Sequence, residues 1–215
     1  MAGTMEREIE ITSDGLHLGG MLAIPEGAQG IVLFAHGSGS GRFSPRNQFV
    51  AGVLRDAGIA TLLMDLLEEW ESEDRAKVFD IDLLAERLIG ATALIREDPE
   101  TRNLAIGYFG ASTGAAAALE AAAKSDFEIG AIVSRGGRPD LAMEYLPQVK
   151  SPALLIVGGN DGPVISMNRE AFEALPGVKE MVIIPGAGHL FEEPGTLEKV
   201  ADLARDWFAK YLRKP

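Results

Sequence analysis

Six short apolar runs constrain the fold more than any other feature of the chain. They are IVLFA (31–35), IATLLM (59–64), LAIGYF (104–109), GAIVS (130–134), PALLIVG (152–158) and EMVIIP (180–185). Each is apolar almost throughout rather than alternating, which predicts strands buried on both faces, as in a parallel sheet. Parallel neighbours cannot be joined by a tight turn and need a crossover, usually a helix. The gaps supply helices. Ser44 followed by Pro45 reads as an N-cap and first helical position, opening a helix that ends near Gly58. Residues 79–97 place Leu84, Leu88, Ala91 and Ile95 on one face. Residues 196–212 do the same with Leu197, Val200, Ala204, Trp207, Phe208 and Tyr211. Ahead of them REIEIT and LHLGGMLAIP, joined by SDG, form a hairpin pattern. The expectation is one α/β domain over residues 1–215, an open, doubly wound, mostly parallel sheet with an antiparallel N-terminal edge. Ligands of such sheets bind beyond the carboxyl ends of the strands, so the loops after each strand are where chemistry is expected.

Composition removes whole classes of function. With 215 residues the chain can bury roughly 70% of its unfolded surface and needs no disulfide or metal staple. It has no cysteine, which excludes disulfides, thiolate metal sites and a cysteine nucleophile, and fits a reducing cytoplasm. A net charge of −12 without a basic run argues against nucleic acid and anionic membranes as partners. The opening MAGTMEREIEITSDG lacks the apolar centre of a signal peptide, and no stretch reaches the ~20 apolar residues of a bilayer span. A soluble, cytoplasmic, globular protein is expected, as monomer or homodimer.

YFGASTGAAAALEAAA (108–123) passes from a strand into an almost pure alanine helix. Gly110-Ala111-Ser112-Thr113-Gly114 fits G-x-S-x-G, a nucleophile elbow in the strand-then-helix context that the motif requires. A serine in so sharp a turn projects its hydroxyl above the sheet, and the crowded chain on either side demands glycine two positions away. The small helix behind it can approach the sheet closely. A hydroxyl is a weak nucleophile and needs a base. Of the three histidines, His17 sits in the hairpin and His36 ends the first apolar run; His189 lies between the last strand and the last helix. His189 is therefore the candidate base. Asp161, in the glycine-rich loop GGNDG after 152–158, is the candidate acid, ahead of Asp65 and Asp140. The order Ser112, Asp161, His189 is the chain order of this motif class. Oxyanion donors are assigned to the backbone N–H groups of Thr113 and Ser38, with Gly39 as the alternative to Ser38. His36 is read as a support of the HGSGSG loop and, with Gly39 and Arg135, as a candidate substrate contact. Arg135 and Arg138, after 130–134, could recognise a substrate carboxylate, but structural pairing with Asp140 or backbone carbonyls is the favoured reading. The acidic run DLLEEWESEDRAKVFD (65–80) is the candidate cover, otherwise a solvated loop and helix start. HGSGSGR lacks the lysine of a phosphate-binding loop, and His189 and Glu192 have no partners for a metal, so phosphate cradling and metal hydrolysis are poor fits.

The HG loop, the elbow, GGND and GAGHLF at this spacing resemble the α/β-hydrolase superfamily, and in detail its small bacterial dienelactone-hydrolase-like branch. The resemblance covers nearly the whole chain, including HGSGSGRFSPRN and SRGGRPDL. It implies an eight-stranded sheet and a Ser-His-Asp esterase that forms a covalent acyl-enzyme on small esters or lactones, with no metal or organic cofactor. No insertion is long enough for a separate lid domain. The chain departs in its nucleophile, which is serine where dienelactone hydrolases proper carry cysteine. Acyltransferase, thioesterase or perhydrolase chemistry with the same triad, or ligand capture without catalysis, are the alternatives.

Overall fold

The computed structural model describes residues 3–13 and 15–213. Strands β1 (Thr4–Ser13) and β2 (Leu16–Pro25) form the expected hairpin; Asp14, the middle residue of its turn, lies outside the described residues. The six apolar runs become β3 (Gly30–Ala35), β4 (Ala60–Met64), β5 (Ala105–Ala111), β6 (Ile129–Arg135), β7 (Ala153–Gly158) and β8 (Lys179–Ile184). They lie in one eight-stranded sheet of order β1-β2-β4-β3-β5-β6-β7-β8. β2 is antiparallel to both β1 and β4, and all the other pairings are parallel. The antiparallel edge is therefore the N-terminal one, as the sequence predicts.

Among the described residues seven α-helices connect or flank the strands: α1 (Pro45–Asp56), α2 (Glu69–Ser72), α3 (Arg75–Val78), α4 (Ile81–Glu97), α5 (Thr113–Lys124), α6 (Gly162–Ala174) and α7 (Thr196–Tyr211). Ser44 caps α1 as expected, its Oγ accepting from Asn47 N at 3.3 Å. Each face of the sheet carries its own core. Leu84, Leu88 and Ile95 of α4 and the alanines of α5 pack on one face, with Ile31, Leu33, Ile106 and Ile132. Val50 and Leu54 of α1 and Val200, Trp207 and Phe208 of α7 pack on the other, with Val32, Phe34, Phe109 and Val133. Alternate residues of a strand point to opposite faces, so a strand buried on both sides must be apolar at every position. All six residues of β3 are buried. No helix among the described residues is long and apolar enough to cross a membrane.

Candidate active site

The ends of β3, β4, β5, β6, β7 and β8 gather at one edge of the sheet, and all the residues singled out for chemistry lie at these strand ends or just beyond them. Ser112 occupies the turn between β5 and α5 with φ 51° and ψ −120°. Only one other non-glycine residue among those described, Phe191, has positive φ. The elbow is crowded as its sequence implies. A methyl group at Gly114 would overlap the carbonyl oxygens of Ala35 and His36, and one at Gly110 would overlap the backbone of Ala115. Glycine at these two positions lets α5 lie against β3 and β5. Gly37 is equally tight, since a Cβ there would come within 2.9 Å of Ser112 Cβ.

Asp161 and His189, 28 residues apart in sequence, meet through a hydrogen bond of 2.7 Å between His189 Nδ1 and Asp161 Oδ2. The carboxylate can only accept, so Nδ1 carries the proton and Nε2 of the neutral ring keeps its lone pair. The two loops are locked together by backbone. Gly159 N donates to Ile184 O and Asn160 N to Ala187 O, at 2.8 and 2.9 Å. Glu193 Oε1 accepts from Gly188 N at 3.0 Å, and such backbone bonds hold its carboxyl below the usual carboxylate range. The His189 side chain keeps 38% of its surface, whereas Asp161 keeps 14%. Ser112 makes no hydrogen bond to His189 among the described residues. The two are held against the same loop instead: Ser112 N donates to Arg135 O and Arg138 N to Ser112 O, while a Cβ on Gly136 would lie 3.0 Å from His189 O. Hydrogen bonds of this kind are often long before substrate binds and tighten afterwards.

Ser38, Gly39 and Thr113 line one small cavity together with His36. Thr113 opens α5, so its N–H has no acceptor within the helix. His36 is occupied on both ring nitrogens: Nδ1 donates to Gly37 O and Nε2 accepts from Leu66 N, each at 2.8 Å. This fixes the neutral ring, and burial pushes its pKa down. These bonds fit the support role and leave neither nitrogen free to hydrogen-bond a substrate.

The segment after β4 departs most from expectation. Rather than a solvated loop it forms α2 and α3, and Glu71 within its acidic run is buried to 1% exposure. Arg87 of α4, 2% exposed, pairs with Glu71 through both Nη atoms, at 2.6 and 2.9 Å. Lys77 adds a third contact to Glu71 at 2.8 Å. Hydrogen bonding by Arg87 holds the Glu71 carboxyl down to about 2. Arg87 also donates to Leu66 O at 2.7 Å, so the backbone of Leu66 is clamped between His36 and Arg87. The available signals were faint: Arg87 interrupts the apolar face of α4, and Glu68-x-x-Glu71 has the spacing of a capping box, which it forms.

The remaining candidates have other partners. Asp65 pairs with Arg42, which also donates its backbone N–H to Asp65 at 2.7 Å. Asp140 takes both forks of Arg138, at 2.9 Å each. The expected structural pairing with Asp140 is thus made by Arg138 and not by Arg135. Arg135 is 7% exposed, reaches only Asn47 Oδ1 at 3.5 Å, and leaves Nε without a partner. Burial, then the nearby Arg46, lowers its pKa to about 10.

The profile of the Dienelactone hydrolase family matches residues 18–212. A dienelactone hydrolase of Anabaena variabilis ATCC 29413 is similar throughout: 57% identical, TM-score 0.94, covering 98% of this chain and 99% of that one. Est1E of Butyrivibrio proteoclasticus shares the fold at 16% identity, with a TM-score of 0.81 over 94% of this chain and 98% of that one. Two proteins from strains of Mycobacterium tuberculosis, each named as a phosphoribosyl transferase, are 53% identical over 210 residues, 98% of this chain. The match takes in 47% of their length, so the chain spans about half of these curated relatives.

Proposed function

The chain belongs to the dienelactone hydrolase family, and on that premise we propose that it is a serine hydrolase of small carboxylic esters or lactones. The observation that carries this reading is the 2.7 Å bond from Asp161 to His189, set beside a strained serine at the head of α5. In the reaction Ser112 Oγ attacks the ester carbonyl while its proton passes to His189 Nε2. Asp161 keeps the ring in the right tautomer and stabilises the imidazolium without taking the proton. The oxyanion is received by Thr113 N–H and Ser38 N–H, donors of a kind worth ~2.7–4 kcal/mol each. The C–O bond then breaks, the alkoxide leaves with the proton from His189, and an acyl-Ser112 ester remains. Water attacks that ester with His189 again as base, releasing the acid and restoring the serine. The serine proton leaves with the alcohol and is replaced by one taken from the attacking water, so the residues close the cycle without a cofactor. Arg135 is left out of the substrate contacts, since its side chain is buried toward Asn47.

The name carried by the mycobacterial relatives points to another reaction. We attach it to the part of those chains that this one does not span: phosphoribosyl transfer needs a phosphate cradle, and HGSGSGR offers no lysine. The test is intact mass after incubation with a fluorophosphonate. Wild type should gain one adduct, Ser112→Ala none, and His189→Ala should label at least about a hundredfold more slowly. A folded wild-type protein that gains no adduct would overturn the proposal and favour ligand capture without catalysis.

A further inference from the structure

The cavity shared by Ser38, Gly39 and Thr113 has a second wall, made by Leu67, Ser72, Val78 and Leu84. Its volume is about 10 Å³, the space of roughly one water molecule. Its place in the sheet order gives it a direction. Ser112 follows β5; the cavity is built from segments after β3 and β4 and from the heads of α4 and α5, whereas Asp161 and His189 follow β7 and β8 on the other side. A leaving alcohol must face His189 to collect its proton. The acyl substituent then points away from His189, into the cavity beside the oxyanion donors. We infer that this cavity is the acyl pocket and that the cover segment restricts the enzyme to short acyl groups, acetyl and propionyl; the inference rests on the proposed serine hydrolase reading.

The wall is not soft. Leu67 directly follows Leu66, whose N–H is held by His36 and whose carbonyl is held by Arg87. Val78 ends α3, the short helix that begins after the buried Glu71. Leu84 is 2% exposed on α4, one turn before Arg87. Glu71, Arg87 and Lys77 join these pieces, so that widening the pocket means moving a bidentate buried ion pair. A longer acyl chain meets side chains anchored to the sheet rather than a loop that can yield.

The test is kcat/KM on p-nitrophenyl acetate, butyrate and octanoate for wild type, Val78→Ala and Leu84→Ala. Val78 lies outside both large cores, so its alanine variant is expected to fold even if Leu84→Ala does not. Wild type should lose about tenfold or more from acetate to butyrate and further to octanoate. Val78→Ala should raise the butyrate-to-acetate ratio by about fivefold or more. Comparable rates on all three esters would overturn the pocket while leaving the serine hydrolase standing. So would a steep wild-type profile that neither variant changes. No turnover of any ester, together with no fluorophosphonate adduct, would bring down the hydrolase reading and the pocket with it.

Discussion

Ser112 sits at φ 51° and ψ −120°, a backbone state in which glycine is at ease and a residue with a Cβ is not. Holding a non-glycine residue there costs of order 1–3 kcal/mol, and the surrounding structure must over-determine it. Here it does: Ser112 N and Ser112 O are both tied to the loop after β6, and α5 leaves no slack behind. Ser112→Gly should therefore relieve strain, while the added freedom of the unfolded glycine removes part of the gain. A net increase in unfolding free energy of about 1 kcal/mol is expected over Ser112→Ala, with no esterase activity in either. Urea unfolding of the two variants decides it, and a glycine variant less stable than the alanine one would mean that the turn is not strained. The serine was legible from sequence because its constraint is local, written in the glycines two positions away. Asp161 and His189 were legible from chain order and from their places after strands. The surroundings of Arg135 were not: Asp140 is five residues away but turns to Arg138, and a competition between two nearby arginines leaves no trace in spacing.

Among the elements, the strands and long helices follow from apolar periodicity, but the cover does not. Within DLLEEWESEDRAKVFD only the capping-box spacing from Glu68 marks Glu71 out, and its burial is decided by Arg87, 16 residues further on. Two titrations follow from this arrangement, and both act in the same direction. Burial lowers the pKa of His36 in the folded protein, so folding releases protons from it. Its contribution is full above the ordinary value of 6.5 and is lost as pH falls below that. Glu71 moves from 4.5 to about 2, so its contribution is full above 4.5 and disappears as pH falls toward 2. The shift corresponds to roughly 3 kcal/mol for so buried a group. On acidification these two groups should withdraw stability, measured by urea, in two stages, first below about 6.5 and then below about 4.5. Glu120, whose carboxyl burial raises to about 7, acts oppositely between about 7 and 4.5 in wild type and variant alike. In His36→Gln the first stage should shrink while the second persists; His17 and His189 are common to both proteins, so the difference isolates His36. Equal first stages in the two proteins would remove His36 from the account, and with it half of the clamp on Leu66.

At the scale of the whole molecule the two cores share their central strands, since β3, β5 and β6 contribute alternate residues to each. Phe208 of α7 shows how closely they are joined. A Cβ on Gly107 would approach Phe208 Cε1 to 2.8 Å, so α7 lies directly on β5, the strand that ends at Ser112. The loop carrying His189 runs straight into α7. A helix on one face thus supports both sides of the proposed catalytic centre. The reading of residues 1–215 as a single domain then predicts one cooperative transition, although a chain of this length is above the range where two-state behaviour is the rule. The two tryptophans help to report on it. Trp207 is 5% exposed in the α7 core, whereas Trp70 is 58% exposed on the cover, so the loss of packing around Trp207 should dominate the fluorescence change. Fluorescence and far-ultraviolet circular dichroism should give the same urea midpoint. Phe208→Ala should lower stability by about 3–5 kcal/mol and move both midpoints together. If α7 instead came away first, fluorescence would fall at lower urea than circular dichroism, and Phe208→Ala would widen the gap. That outcome would separate the two cores and make the His189 loop part of an element that can detach while the strand bearing Ser112 stays folded.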